Sequence, residues 1–381
     1  MKKIKIVNIV SKLSYGGVEA VLYNYYTNMD LEPFDITIIS QKSSNLDEIK
    51  KFENLGIKVV LFGNWEKEPF KVGKDIIKLF KKEKYDIIHT HLSYTNFYFL
   101  ILAYISKIKI RISHSHLSQE DTNIFQKIKH NIYKIFIKIF ATDYLACGDG
   151  AKKSLYGNNK KAIVIKNGIQ LEKYSYNGNI RDEYRKKFKL KTNTLCIGNI
   201  GRLTAQKNQS FLIEVFNELI KVNPNSILII VGNGENKPEL LDLISKFELH
   251  DKVLMLGNRT DVNCLMQMFD IFCLPSLYEG LPVVGIEAQA ANVPIVFSDS
   301  VDKKVKLNNN VYFIDLKSSA ETWAKFIYDI YNSHKEIDRK ENNTFDTLTS
   351  NGYNIAIESK KLKELYIDRY NSLNQKMIER N

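Results

Sequence analysis

The sequence lacks several features that would each place it in a familiar class of protein. It has no CxxC pair, and its four cysteines lie far apart or inside apolar runs: Cys147, Cys196, Cys264 and Cys273. We therefore expect reduced, structural thiols. The N-terminus turns polar after MKKIKIVNIV without the apolar run and cleavage site of a signal peptide, so we expect a cytoplasmic protein. The longest apolar stretch, residues 97–106, has about half of the roughly 20 residues that span a bilayer.

Acidic residues are scarce in the first half of the chain. Residues 1–180 hold 28 Lys and Arg against 17 Asp and Glu, whereas the remaining 201 residues hold 27 against 26. This asymmetry indicates that the first half binds an anionic partner: a membrane surface, a phosphorylated substrate or nucleic acid. A lysine-rich proteome is the alternative explanation. The length of 381 residues favours two domains, each with its own core.

Short β-branched runs alternate with helix-length segments throughout the chain. In residues 1–175 the runs are KIKIVNIV, FDITIIS, IKVVLF, YDIIHTH, IKIRISHSH, DYLACG and AIVIKNG. They are apolar almost throughout, as parallel strands covered by helices on both faces are. We interpret residues 1–175 as an α/β domain with a doubly wound, Rossmann-like sheet.

The same alternation restarts after a polar segment, residues 176–192, which we interpret as a linker with a short helix. Residues 193–350 form a second domain with the runs TLCIGNIGRL, SILIIVGNG, KVLMLGN, IFCLPS and PIVFSD. Residues 351–381 have the apolar spacing of a C-terminal helix, which predicts the helix but not which domain it packs on. Two doubly wound domains predict a ligand cleft between the carboxyl ends of their sheets.

Glycine spacing excludes one common use of this fold. After the first predicted strand, Gly16 and Gly17 open a helix whose amides can face an anion, because glycine allows close backbone approach. The pattern GxGxxG is absent, which argues against a dinucleotide-dependent dehydrogenase. A plain glycine turn is the alternative.

Four of the seven histidines lie at the ends of two predicted strands: His89, His91, His114 and His116. Because such ends border the cleft, we expect His114 or His116 to hydrogen bond to a substrate hydroxyl or phosphate. An HxH pair also suggests zinc, but no cysteine or third ligand has metal-site spacing, so no metal site is predicted. Packing alone is the alternative for these side chains.

Two cations and two carboxylates mark the second domain. Arg202 and Lys207 lie in the loop GRLTAQKN, where a guanidinium fork and an ammonium can bind two phosphates. Glu279 and Glu287 flank the turn of PSLYEGLPVVGIEA, where Gly280 frees the backbone. Both carboxylates can accept hydrogen bonds from hydroxyl groups, such as those of a sugar or a ribose. Solvated surface charge, or a helix-dipole role for Glu287, is the alternative.

The segments GGVE, HSH, GRLTAQKN, GNGE and PSLYEGLPVVGIEA, in this order, resemble the motifs of the retaining glycosyltransferases of family 4, especially the capsular and exopolysaccharide branch. The resemblance covers nearly the whole chain. It implies the GT-B fold, with two Rossmann-like domains facing across a cleft. It also implies transfer of a sugar from a nucleotide diphosphate sugar, a UDP-sugar by default, to a saccharide or polyprenyl-linked acceptor. One departure is Asn292, where the family usually has glycine.

The resemblance implies a role for each matching residue. Arg202 and Lys207 would hold the donor diphosphate, Glu287 the ribose, and Glu279 the sugar. The implied donor-binding residues are Gly16, Gly17, Gly201, Arg202, Lys207, Asn233, Gly234, Glu279, Gly280, Leu281 and Glu287. The implied catalytic residues are His116, with His114 as the alternative, and Glu279, Arg202 and Lys207.

The expected mechanism is a front-face displacement in which the leaving phosphate accepts the acceptor's proton. The sequence has no placed carboxylate pair for a covalent intermediate, and no DxD motif, so we expect neither a metal nor another cofactor. A nucleotide-sugar epimerase on the same fold is one alternative. A basic nucleic-acid-binding protein is another, but the lysines are not interleaved with aromatics, so no nucleic acid partner is predicted.

A basic helix suggests a further partner. Residues 126–140, QKIKHNIYKIFIKIF, place isoleucines on one side and lysines on the other or at its border. Because the resembling enzymes often have lipid-linked acceptors, we expect reversible binding to an anionic membrane surface, at the inner face of the cell membrane. The alternative is a surface helix packed on its own sheet.

Overall fold

The computed structural model describes residues 2–14, 17–116, 123–335, 339–340 and 344–378. The chain divides into two compact units. Residues 1–168 together with 354–381 form the first unit, and residues 169–353 form the second.

A parallel sheet in the order β3-β2-β1-β4-β5-β6-β7 forms the centre of the first unit. The strands are β1 (Ile4–Ile9), β2 (Phe34–Gln41), β3 (Lys58–Phe62), β4 (Ile87–Thr90), β5 (Ile110–Ser115), β6 (Asp143–Ala146) and β7 (Ile163–Val164). The helices that follow them in the chain are α1 (Gly17–Thr27), α2 (Leu46–Glu53), α3 (Pro69–Glu83), α4 (Asn96–Ile105), α5 (Ile124–Phe140) and α6 (Asp149–Tyr156). Ser93–Thr95 form a 3-10 turn. The runs that we predicted as strands are strands, and those at the centre of the sheet are buried on both faces.

The second unit has a parallel sheet in the order β10-β9-β8-β11-β12-β13. Its helices are α7 (Leu171–Tyr174), α8 (Gly178–Lys187), α9 (Gln209–Val222), α10 (Lys237–Lys246), α11 (Val262–Met268), α12 (Val283–Ala290), α13 (Ala320–His334) and α14 (Thr344–Ser350). Its strands are β8 (Leu195–Ile200), β9 (Ser226–Val231), β10 (Val253–Met255), β11 (Ile271–Leu274), β12 (Ile295–Ser298) and β13 (Val311–Ile314). The 3-10 turns are Ala205–Lys207 and Lys303–Val305.

The last helix, α15 (Ile355–Ile378), belongs to the first unit. Its buried Tyr366 places the hydroxyl 2.6 Å from Nδ1 of His89 on β4. The carboxylate of Glu358 accepts a hydrogen bond from the backbone N–H of Lys166 over 3.0 Å. Side-chain contacts, which periodicity does not show, therefore determine where this helix packs.

The units divide at residues other than those the sequence predicts. The first break falls after Gly168, seven residues before the predicted end of the first domain at 175. The predicted linker 176–192 contains α8, whose Arg181 and Arg185 form ion pairs with the carboxylate of Asp270. The charges that suggested a solvated linker thus anchor this helix to the second unit. Strand β13 is an edge strand of four residues that is not among the predicted strands.

Both sheets reverse their strand order beside the first strand of the unit. In the first unit the reversal lies between β1 and β4, and in the second it lies between β8 and β11. At such a switch point the loops leave in opposite directions, so a crevice opens at the carboxyl ends of the strands. Of the predicted site residues that the structure describes, Gly17 begins α1 and Glu287 lies on α12, and the others lie at strand ends or in the connections that follow β5, β8, β9 and β11.

Candidate active site

The loops after β8 and β9 pack backbone against backbone. A Cβ atom on Gly232 would lie 1.9 Å from the carbonyl oxygen of Gly201, and one on Gly234 would lie 2.2 Å from that of Leu203. The N–H of Leu203 donates to the carbonyl of Asn233 over 3.0 Å. The structure thus brings Gly201, Asn233 and Gly234 together. Gly232 has a φ of +137°, a backbone conformation that favours glycine. It belongs to the GNG pattern but was not among the predicted site residues.

Lys207 and Glu279 meet beside the switch point of the second sheet. They form an ion pair, and their side chains are only 16% and 11% exposed. The Ser276 hydroxyl donates to the same carboxylate over 3.3 Å, and the N–H of Leu277 donates to the Gln206 carbonyl over 2.8 Å. An anion that binds Lys207 must therefore compete with Glu279. When it succeeds, the carboxylate becomes available to accept other hydrogen bonds.

Arg202 has a different environment from Lys207. Its side chain is exposed, and the described part of the chain offers its guanidinium no ion pair. Its backbone carbonyl accepts a hydrogen bond from Nε2 of buried Gln209 over 3.0 Å, which holds the loop in place. The guanidinium is therefore available for an anionic ligand without first breaking an ion pair.

Glu287 lies on α12 and is partly buried. The Tyr174 hydroxyl donates to its carboxylate over 2.9 Å. Burial raises the pKa of Glu287 to about 7, although this hydrogen bond acts in the opposite direction. A ligand that donates hydrogen bonds to the carboxylate would favour its ionised form. Gly280 and Leu281, both partly buried, lie between Glu279 and this helix.

Gly17 begins α1 in the first unit. Apart from its chain neighbours and the backbone of its own helix, no heavy atom of the described residues lies within 4 Å of the position where its Cβ would be. Space at the amino end of a helix is what backbone recognition of an anion requires. Gly16, which we predicted together with it, lies outside the described residues.

The four strand-end histidines pair across the neighbouring strands β4 and β5. Nε2 of His89 lies 3.1 Å from Nδ1 of His114, and Nδ1 of His91 lies 3.0 Å from Nε2 of His116. Burial lowers the pKa of every one of these imidazoles, to about 4 for His116. At neutral pH the cluster is therefore uncharged, and its hydrogen bonds are those of neutral rings.

Three of these histidines also have the arrangement of a metal-ligand set. The ligand nitrogens of His89, His91 and His114 lie within 4.8 Å of one another. The sequence did not reveal this third ligand because it comes from the neighbouring strand. The nitrogens already contact one another or their neighbours in hydrogen bonds, which neutral imidazoles can form without a metal.

Helix α5 exposes an apolar stripe. Seven apolar side chains that follow helical spacing are each between 37% and 78% exposed: Ile124, Phe125, Ile128, Ile132, Ile135, Phe136 and Ile139. The opposite side packs inward through buried Ile137 and through His130, whose ring stacks on Tyr94 at 3.8 Å between centroids. The apolar stripe is therefore exposed while the inward side of the helix packs on its own unit, which is compatible with the predicted membrane contact and with the alternative of a surface helix. Among the described residues, no helix combines the length and the apolar content that crossing a bilayer requires.

Comparison with known proteins gives a consistent result for both units. The model for Glycosyltransferase Family 4 matches residues 15–173, and that for Glycosyl transferases group 1 matches residues 180–346. The chain is 30% identical to the UDP-Gal:alpha-D-GlcNAc-diphosphoundecaprenol alpha-1,3-galactosyltransferase of Escherichia coli, over 96% of this chain and 97% of that protein. It is 27% identical to the capsular polysaccharide biosynthesis glycosyltransferase CapH of Staphylococcus aureus, over 96% and 99%.

A solved structure shares the fold. The crystal structure of Anabaena HepE in complex with UDP-glucose has a TM-score of 0.78, with 18% identity over 96% of this chain and 100% of that chain. The fold is therefore GT-B, as the sequence predicted. The chain belongs to the glycosyltransferases of family 4 and is a glycosyltransferase.

Proposed function

We propose that this glycosyltransferase transfers a sugar from a UDP-sugar to a saccharide or polyprenyl-linked acceptor, with retention of the anomeric configuration, in bacterial surface polysaccharide synthesis. The full-length likeness to a relative named for a UDP-Gal donor and a diphosphoundecaprenol acceptor carries this proposal. The likeness to a capsular polysaccharide glycosyltransferase supports the pathway class.

The donor would bind at the carboxyl edge of the second sheet. Its diphosphate contacts Arg202 directly and takes Lys207 from Glu279, because two phosphate charges outcompete one carboxylate. The released Glu279 then accepts hydrogen bonds from the sugar hydroxyls. The ribose diol donates to Glu287, and the base lies near Asn233. The exchange of ion-pair partners couples diphosphate binding to sugar recognition.

The reaction would proceed on one face of the sugar. The acceptor oxygen attacks the anomeric carbon as the bond from that carbon to the β-phosphate oxygen breaks. The acceptor proton passes to the leaving phosphate, which yields UDP and the new glycoside. Arg202 and Lys207 stabilise the charge that develops on this phosphate, a contribution that is usually the largest in such sites. His116 contacts the sugar, and no metal ion takes part.

The apolar stripe of α5 would bind an anionic membrane at the inner face of the cell. Its isoleucines and phenylalanines enter the interface, while Lys127, Lys134 and Lys138 on the same helix contact lipid headgroups. Each lysine near an anionic leaflet contributes about 1 kcal/mol. The positively charged first unit would thereby lie at the same membrane surface as a lipid-linked acceptor.

Product analysis tests the proposal directly. Purified protein is incubated with a panel of UDP-, GDP- and ADP-sugars and an undecaprenyl-diphosphate-linked sugar, with and without EDTA. We expect transfer from a UDP-sugar, an α product from an α donor by NMR, and no loss of rate in EDTA. Epimerised donor without transfer would support the epimerase alternative, and a β product would exclude retention.

A further inference from the structure

A hydrogen-bonded chain joins His116 to Asn8 through His91. A neutral imidazole carries one proton, on one of its two ring nitrogens. Burial, together with the neighbouring rings of His89 and His116, keeps His91 neutral at pH 7, and burial keeps His116 neutral. Each hydrogen bond between these residues therefore contains one proton. Once the nitrogen that carries the proton is known for His91, it is also known for His116.

Asn8 at the end of β1 determines these positions. Its carboxamide oxygen lies 3.1 Å from Nε2 of His91 and can only accept, so His91 carries its proton on Nε2. Nδ1 of His91 is then an acceptor, and Nε2 of His116 must donate to it. His116 is left with a bare Nδ1. This nitrogen is buried and has no hydrogen-bond partner in the described part of the chain.

A second chain of hydrogen bonds runs from Tyr366 through His89 to His114. It ends in a donor, whereas the first chain ends in an acceptor. Because a phenol donates to an imidazole more readily than it accepts from one, we infer that the Tyr366 hydroxyl donates to Nδ1 of His89, 2.6 Å away. Nε2 of His89 then donates to Nδ1 of His114, which leaves a proton on Nε2 of His114. His114 thus presents a donor and His116 an acceptor. Of the two, only His116 can accept a hydrogen bond from a hydroxyl group.

We propose that Asn8 and His91 are positioning residues that hold His116 in the Nε2–H tautomer, so that its Nδ1 accepts a hydrogen bond from a hydroxyl of the transferred sugar. The inference rests on the proposed function, because it takes a donor sugar as the ligand at this edge of the first sheet. Asn8 lies beside His89 in the parallel pairing of β1 with β4, at the switch point where such folds bind ligands.

Two variants of nearly equal shape separate positioning from packing. In His91→Asn the carbonyl oxygen can take the place of Nδ1 and accept from His116, whereas His91→Leu has no acceptor. We expect kcat to fall roughly 10- to 100-fold in His91→Leu, by analogy with other residues that orient an imidazole, while UDP affinity stays unchanged. His91→Asn should retain most of the turnover. Equal losses of turnover in both variants would overturn the proposal.

The tautomer itself can be read in the wild-type protein. Long-range 1H–15N NMR spectra of protein labelled with 15N-histidine, with His116→Gln to assign the signal, should show the His116 proton on Nε2. A proton on Nδ1, or one bound zinc per chain by metal analysis, would contradict the inference, because zinc would occupy the His91 lone pair. These measurements need no turnover. If no nucleotide sugar reacted, the proposed function would fail while the NMR result still decided the tautomer.

Discussion

The carboxyl of Glu287, which is predicted to bind the donor's ribose, changes its charge near neutral pH. Its pKa of about 7 in the folded protein is above the usual 4.5, because burial disfavours the charged form. Between these two values the folded state binds more protons than the unfolded state, so the free energy of unfolding falls as pH rises and levels off above pH 7.

Replacing this carboxyl by a neutral amide removes that pH dependence. We expect Glu287→Gln to gain thermal stability relative to wild type as the pH rises from 5 to 8, since only the wild-type side chain becomes charged. Melting temperatures of both proteins without nucleotide, at four pH values in this range, measure the difference. A difference that is constant with pH would show that the Glu287 carboxyl is not held neutral by burial.

Arg202 tests the phosphate role without disturbing the core, because it is exposed. We expect Arg202→Ala to weaken UDP binding roughly 10- to 100-fold, the loss of a charge-assisted hydrogen bond of about 1.5–3 kcal/mol. The melting temperature without ligand should stay the same. Lys325→Ala, which removes an exposed cation from α13, is the control and should bind UDP like wild type. Wild-type affinity in Arg202→Ala, measured by calorimetry, would remove this residue from the donor site.

Helix α5 is the element whose surface departs most from that of an ordinary globular protein. A stripe of seven exposed apolar side chains has no counterpart in the other helices of the first unit among the described residues. A contiguous exposed apolar surface commonly marks an interaction site. The lysines on the same helix favour an anionic lipid surface as the partner.

Vesicle sedimentation tests this surface. We expect the protein to sediment with anionic but not with neutral liposomes, and less so at high salt, because the Debye length shrinks as ionic strength rises. Lys127→Glu with Lys134→Glu should abolish sedimentation. Lys81→Glu with Lys82→Glu on α3 makes the same change in charge elsewhere and should leave it intact. If both double variants lost sedimentation equally, net charge alone would explain the binding. If the wild-type protein did not sediment with anionic liposomes at low salt, a soluble acceptor would be the better proposal.

At the scale of the whole molecule, the C-terminal helix completes the first unit from the far end of the chain. Ile355, Leu362 and Tyr366 on α15 are buried at 1% exposure or less. Burying each such side chain stabilises by about 1.5–3 kcal/mol, against a total stability of roughly 5–15 kcal/mol for a domain.

Ending the chain after Tyr353 should therefore unfold the first unit and leave the second unit folded. We expect the truncated protein to lose one of two unfolding transitions in calorimetry and to lose transfer activity, while it still binds UDP through the second unit. Hydrogen exchange, followed separately in the two units, shows which one has become unprotected. Two intact transitions, or loss of both, would contradict the division of the chain at residues 168 and 353.

The local sequence pattern was sufficient to predict most helices and strands. It was insufficient where long-range contacts determine how a segment packs. Apolar runs that alternate with helical segments predicted the strands of both sheets except the edge strand β13. Asn292, the departure from the family glycine, has a left-handed φ of +52°, a conformation that asparagine tolerates. The segment predicted as a linker with a short helix contains a helix, α8, but ion pairs from its arginines to Asp270, 85 or more residues away, attach it to the second unit.

Strand period and motif spacing are local properties of the chain, so they were sufficient to predict the α/β class, the family and the segments that carry Arg202, Lys207, Glu279 and Glu287. Which groups meet depends on the three-dimensional fold. The pairing of Lys207 with Glu279 spans 72 residues, and that of His89 with Tyr366 spans 277. Such contacts depend on strand order and helix packing, so the pairing of the histidines, the burial of Glu287 and the exposed side of α5 follow from the fold and not from the motifs.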